Sequence, residues 1–188
     1  WTVSNKKEYA AYTLRPKIKR LVDVYLTDIP AIELHPFDCP AAVDASRSAE
    51  RIFDQIAGRK SWLPAGETAA MQAAKCFVHS KLQNYPDTRN NPCLDGQSGL
   101  SPYLHFGQLA PQRLAWMVRC SEVPLEAREV FLEELIVRRE LADNFCLYEP
   151  SYDSLAGFPA WARKTLEEHR GDKRDYVYSL ADFEESHT

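Results

Sequence analysis

Two groups of side chains in this sequence have types and spacing suited to chemistry. The first lies in "RNNPCLDGQSGLSPYLHFGQ", Arg89 to Gln108, where turn residues and small residues crowd in front of Ser101-Pro102. A bound anion needs amide and hydroxyl donors that converge without bulky side chains, with a helix start pointing at the charge. Gly96 and Gly99 allow close approach, Gln97 and Ser98 offer donors, and Ser101-Pro102 opens a helix behind Leu100. The competing interpretation is a serine N-cap with proline at the first helical position, which needs no ligand. The residues of the loop leave both open.

The second group sits in "LEAREVFLEELIVRRELADNFCLY", Leu125 to about Tyr148. At about 100° per residue, Val130, Phe131, Leu135, Val137, Leu141, Ala142 and Phe145 share one broad face. Glu129, Glu133, Arg139, Glu140, Asp143 and Asn144 gather opposite, together with Leu132 and Ile136, so the helix packs on more than one side. Glu134 and Arg138 fall inside the apolar arc. A surface Glu–Arg pair at i,i+4 is worth only a few tenths of a kcal/mol, roughly, and a buried one is a poor source of stability. Charges of this kind facing inward instead suggest one wall of a lined pocket, with Glu134 a turn away from Arg138.

Other candidates are weaker. Tyr85 and Arg89 lie upstream of the same loop, where each taken singly reads as a surface aromatic and a solvated charge. His105, beside Tyr103 and Phe106, reads as a packed core residue. The remaining histidines show no pairing pattern, and no nucleophile–base arrangement follows from spacing. Neither G-x-G-x-x-G after a strand nor G-x-x-x-x-G-K-[ST] occurs, so nucleotide-binding α/β folds are not indicated.

The elements that must position these residues are helical. Of 188 residues, 45% are apolar and 27% charged, as expected for an ordinary globular protein, and the net charge of −4 advertises no nucleic-acid partner globally. A basic cluster, "RPKIKR" at Arg15 to Arg20, is too short to carry weight. The five cysteines are scattered without zinc spacing, which reads as reduced thiols in a cytoplasmic or nuclear, non-secreted protein with no metal site. No apolar run approaches the roughly 18 residues of a membrane span.

Along the chain, 1–29 is partly helical with Pro16 as a boundary, and 30–45 is a proline-rich linker. Helices are expected at 46–58, 67–85, from Ser101 to near Gly107, from Pro111 to about Cys120, over Leu125–Tyr148, at 159–170 and at about 174–185. No period-2 strand and no repeat appears. The fold class is mainly α.

The two long motifs, "GQSGLSPYLHFGQ" and "FLEELIVRRELADNFCLYEPSYDSLAGFPAWA", strongly resemble the FAD-binding domain of the photolyase/cryptochrome family. Within it they look most like the class II cyclobutane pyrimidine dimer photolyases. "SNKKEYAAYTLRPKI" is similar to the end of that class's antenna-type α/β domain and the start of its linker. The resemblance implies a fragment with three parts: antenna-domain end and linker start at 1–29, linker with a helix at 30–66, and the N-terminal half of a multi-helical FAD-binding domain at 67–188. It also implies light-driven repair of UV-damaged DNA by a monomeric full-length protein that uses reduced FAD. An antenna chromophore would sit in a domain absent here, and this stretch alone would be inactive.

Carried over residue by residue, the resemblance makes Tyr85 a flavin contact and Gln97, Ser98, Gly99, Leu100 and Ser101 a phosphate loop. It places Phe131 where many relatives have a flavin-pocket tryptophan and makes Arg138 a cofactor-side arginine. Glu134 would hydrogen-bond the damaged bases, and Arg89 would lie near the lesion and the DNA backbone. Gln97 replaces a threonine, and Phe131 and Val137 replace tryptophans, of other branches; these departures suit class II. Trp62, Trp116 and Trp161 lie in the wrong segments for the family's electron relay. Two rival readings are a cryptochrome-type photoreceptor without repair activity and a non-enzymatic helical interaction module.

Overall fold

The computed structural model describes residues 2–31, 33 and 63–187. The helix expected at 46–58, most of the proline-rich linker, Cys39 and Trp62 lie outside the described residues. Those described form helices and loops and no strand, so the chain is mainly α as its periodicity requires. None of these helices is long and apolar enough to cross a membrane. Cys76, Cys93, Cys120 and Cys146 are free and exposed.

Helix α1 spans Ala11–Tyr25 and buries Ala11, Leu14 and Ile18, a stripe at helical spacing. Pro16 lies within it rather than ending it. Its missing N–H deprives the carbonyl of Tyr12, a residue 72% exposed, so water can satisfy the orphan. Helix α2, Glu67–Ser80, starts after Gly66, whose φ of 101° is left-handed, and buries Ala70, Ala74 and Phe77. The expected continuation to residue 85 is interrupted. A 3₁₀ turn over Leu82–Asn84 leads into α3, Tyr85–Thr88, because Pro86 has no N–H to extend the α ladder.

Helix α4 is a single turn, Ser101–His105. It closes where Gly107 adopts φ 68° and the amides of Gln108 and Leu109 both bond the carbonyl of Tyr103, at 2.8 and 3.2 Å. Helix α5, Pro111–Arg119, has proline in its opening turn and buries Leu114, Ala115 and Val118. Helix α6, Leu125–Leu132, passes into a π-helical segment, Glu133–Arg138, and continues as α7, Arg139–Tyr148. Beyond a loop come α8, Ala160–Glu168, and α9, Leu180–Glu184. The last is shorter than expected because Ser179 and Asp182 form a reciprocal capping box that fixes its start.

The π turn divides the core. Before it, Phe131 packs with Phe77, Leu82, Leu100, Tyr103, Leu114 and Val118. After it, Val137 packs with Ala11, Leu14 and Ile18 of α1. The single broad face drawn at α-helical pitch is therefore two faces. Bonding from i to i+5 winds more residues into a turn than the roughly 3.6 of an α-helix, and it rotates the next helix, α7, about the common axis.

Residues 2–10 form a strap on α7. The carboxamide of Asn144 accepts from the amide of Glu8 at 2.7 Å and donates to the carbonyl of Lys6 at 3.0 Å. Tyr148 donates to the carbonyl of Ser4 at 2.8 Å, and Lys7 pairs with Glu149. Asn144, expected on the polar side, is buried because the strap covers it.

Glu8 is buried too, gripped by Lys17 and by the Ser4 hydroxyl at 2.6 Å. Those bonds, Lys17's first, lower its pKa from 4.5 to about 2. A depressed carboxylate stabilises the fold above its unfolded pKa, and that stability drains away as pH falls through the folded value. Urea unfolding of the protein and of Glu8→Gln should therefore differ by about 2 kcal/mol above pH 5. The gap should close between pH 4.5 and 2. A gap that stayed constant with pH would mean that the Glu8 charge contributes nothing.

Candidate functional site

Three rings make the floor of the candidate site. Phe77 and Phe131 lie 4.8 Å apart, Tyr85 and Phe131 5.3 Å, and Phe77 and Tyr85 5.7 Å, with Tyr85 edge-on to both. Each such contact adds about 0.5–1.5 kcal/mol to the area it buries. Tyr85 is thus held in the floor and is no isolated surface ring. Burial raises the pKa of its phenol, partly opposed by Arg89.

Above the rings, Arg89 and Glu134 form an ion pair at 2.7 Å, each side chain about one-third exposed. The guanidinium carbon lies 5.9 Å from the centre of the Tyr85 ring, so the ring also faces the cation. Pairing with Glu134 raises the pKa of Arg89 further. The Arg89–Glu134 bond joins the end of α3 to the start of the π turn, and it places one acceptor beside several donors at an accessible rim.

The i,i+4 pair of Glu134 with Arg138, the plainer alternative to a pocket wall, does not form. Arg138 faces Glu133 instead, at 3.8 Å, and Arg15 of α1 grips the same carboxylate with two bonds of 2.7 and 2.8 Å. Glu133 and Arg138 are five residues apart, the spacing that a π turn brings onto one side. Glu134 and Arg138 therefore do not make one pocket wall.

The loop of residues 91–100 closes against the same rim. Gln97 donates to the carbonyl of Arg89 at 2.9 Å, and Lys81 holds Asp95 at 2.6 Å. Gly96 is required for packing rather than for a ligand, since a Cβ there would lie 2.5 Å from the side chain of Thr88. Gly96→Ala should therefore destabilise the protein by about 1–3 kcal/mol in urea titrations; a loss under about 0.5 kcal/mol would show that the loop yields freely. Gly99 differs: φ is 66° and nothing stands within 4 Å of its open side.

The Ser98 hydroxyl accepts from the amide of Leu100 at 3.3 Å, and Leu100 is fully buried. Ser101 makes no capping bond, so the N-cap alternative fails in its simple form. Its hydroxyl, and the amides of Gln97, Ser98, Gly99 and Ser101, find no protein partner among the described residues. With only five residues, α4 supplies little dipole, and any anion would depend on these unspent donors.

The structure thus brings together Tyr85, Arg89, Phe131 and Glu134, with Gln97 to Ser101 alongside, and leaves Arg138 on the α1 side. His105 is exposed, stacked edge-on against Phe106, because Tyr103 and Leu104 are the residues of that turn that pack on the core. Two open cavities, of about 560 and 530 Å³, lie elsewhere, against α1 and against α2. Sequence reasoning missed Phe77, Arg15 and Glu133. Phe77 has a signal, its place on the Ala70–Ala74 stripe, but Arg15 and Glu133 stand 118 positions apart and carry none.

A helical domain with a charged rim over an aromatic floor, beside a loop of unpaired donors, is the class that this geometry defines. No family model matches the chain. Over its whole length it is 40% identical to the deoxyribodipyrimidine photo-lyase of Oryza sativa subsp. japonica and 40% identical to that of Arabidopsis thaliana. It is 36% identical to that of Potorous tridactylus. The matches occupy 39%, 40% and 36% of those proteins, so the chain spans about two fifths of the length of the curated relatives it matches. The chain belongs to the photolyase family.

Proposed function

We propose that the full-length protein is a class II deoxyribodipyrimidine photo-lyase that splits cyclobutane pyrimidine dimers in DNA, by light-driven electron transfer from reduced FAD. The observation that carries this reading is the Arg89–Glu134 pair at 2.7 Å over Tyr85 and Phe131. A pyrimidine edge alternates carbonyl acceptors with an imide N–H. A guanidinium beside a carboxylate offers the matching donors and acceptor, preorganised for charge that develops on the dimer carbonyls. Damage weakens stacking and pairing, so a dimer leaves the duplex for such a rim more readily than intact bases do.

The donors that find no partner in the 97–101 loop fit a diphosphate, and the open side of Gly99 leaves room for it. In this reading Gln97, Ser98, Gly99, Leu100 and Ser101 hold the FAD phosphates, while Tyr85 and Phe131 border the flavin. Arg138, the remaining cofactor-side residue of this reading, lies on the other side of the π turn and faces Glu133. Bound FAD supplies the electron chemistry; these residues supply position and field.

The domain division follows the same reading: an antenna-domain end and linker start over 1–29, linker to 66, and the first half of the FAD domain from 67. Packing of α1 on the π turn supports a linker that begins against the helical unit. Trp161, Val177, Leu180 and Phe183 are each more than 60% exposed, which supports a stretch that needs further chain to cover it and is inactive alone. A reducing compartment and a monomeric protein complete the proposal.

The test is to purify the full-length protein, scan for flavin absorbance, then reduce and illuminate it with dimer-containing DNA. Bound flavin with light-dependent loss of dimers is the expected result. Bound flavin without repair would move the protein to the photoreceptor class. No flavin in a folded protein would reduce the 97–101 loop to a helix start.

A further inference from the structure

Glu134 has two basic partners within reach of its place in the chain, and the winding of one helix decides between them. In an α-helix, at about 100° per residue, Glu134 and Arg138 stand about 40° apart and Glu133 and Arg138 about 140° apart. The chain instead winds as a π segment from Glu133 to Arg138, in which Arg138 meets Glu133 and Glu134 is left to Arg89. Such turns are rare and concentrate at functional sites.

Something must hold this one, and the two-pronged Arg15–Glu133 bond is placed to do so. It ties the first residue of the π segment to α1, next to the Val137–Leu14–Ile18 contact that anchors its other half. A bidentate guanidinium fixes the plane of a carboxylate as well as its charge. With Glu133 turned toward α1, its neighbour Glu134 faces the other way, onto the aromatic floor.

We infer that Arg15 and Glu133 are positioning residues: their bond selects the π-helical register that gives Glu134 to Arg89, and loss of it returns Glu134 to Arg138. The inference rests on the repair reading for its functional meaning, though the register itself does not.

The experiment uses the full-length protein with Arg15→Met, which keeps length and removes the fork, and with Arg15→Lys and Glu133→Gln as milder variants. Double-mutant cycles on urea unfolding measure the coupling of Glu134 to Arg89 and to Arg138. In the parent, the Glu134–Arg89 coupling should be about three-fold in the unfolding constant and the Glu134–Arg138 coupling about one. In Arg15→Met the first should fall to about one and the second rise to about two-fold. Binding of an oligonucleotide with one thymine dimer should weaken by about ten-fold, as expected for loss of a charge-assisted contact, with part recovered in Arg15→Lys.

A merely structural Arg15 would lower stability and leave both couplings where they were, which overturns the inference. Should Arg15→Met fail to fold, the same cycles in Arg15→Lys and Glu133→Gln decide it by the direction of the shift. If the couplings exchange while neither Arg15→Met nor Glu134→Gln alters dimer binding, the register control stands and the repair reading falls. If Glu134→Gln loses binding while Arg15→Met keeps both couplings, the reverse holds.

Discussion

Glutamine at position 134 of the full-length protein should slow light-driven dimer splitting by about ten- to a hundred-fold and leave flavin absorbance as in the parent. The estimate follows from the bond at stake. In the proposed role Glu134 makes a charge-assisted hydrogen bond to the dimer, worth about 1.5–3 kcal/mol, in addition to its partly exposed pairing with Arg89 at 2.7 Å. Glutamine keeps the size and one acceptor but surrenders the charge that holds Arg89, so the guanidinium that a developing anion on the dimer would meet is no longer fixed in place. Glutamine also frees Arg89 from its tie, which should raise the salt dependence of DNA binding as the cation turns to phosphates. Initial splitting rates under limiting light, at saturating DNA, are the measurement. Rates within about two-fold of the parent would remove Glu134 from the chemistry and leave it a surface ion-pair partner.

The largest expected loss of stability belongs to Phe131→Ala, at about 3–5 kcal/mol. Phe131 is 5% exposed and stands between Phe77 and Tyr85, so truncation empties the centre of the floor and removes two ring contacts at once. The effect should spread upward. Tyr85 loses the surface that orients it, and Arg89 loses the fixed ring beneath it. Urea titration gives the stability, and Phe131→Leu should recover more than half of it by refilling the volume. A Phe131→Ala cost below about 1 kcal/mol would mean that the floor collapses without strain and that Phe131 does not organise the rim.

How legible this was in the sequence depends on how far each feature's causes reach along the chain. Proline at 111 acts within one turn and places the start of α5; the capping signal at Ser179 and Asp182 is equally local but was overlooked, which put the start of the last helix near 174. The Ala70–Ala74–Phe77 spacing and the apolar stripe of α1 likewise announce their helices. Glu134 stands out as a charge inside an apolar arc, and the structure sets it beside Arg89 over the Tyr85 ring.

The π turn was not legible, because a wheel drawn at constant pitch has no place for a change of winding. It set Glu134 and Arg138 on one wall, where they lie with different partners, and merged two core faces into one. Asn144 was misread for a related reason. What buries it is a strap more than 130 positions away, and no local pattern records such a neighbour.

Asn144 carries one further consequence. Its side chain is chemically a detached peptide group, and it serves residues 6 to 8 as a neighbouring β-strand would, receiving one N–H and offering another to a carbonyl. The strap can therefore lie flat on a helix, with its inward polar atoms satisfied, although helices have no ladder to lend. Aspartate has the same shape but only accepts, so spontaneous deamidation would leave the Lys6 carbonyl facing a carboxylate. Chemical ageing at that one side chain would loosen residues 2–10 without touching the Arg89–Glu134 rim.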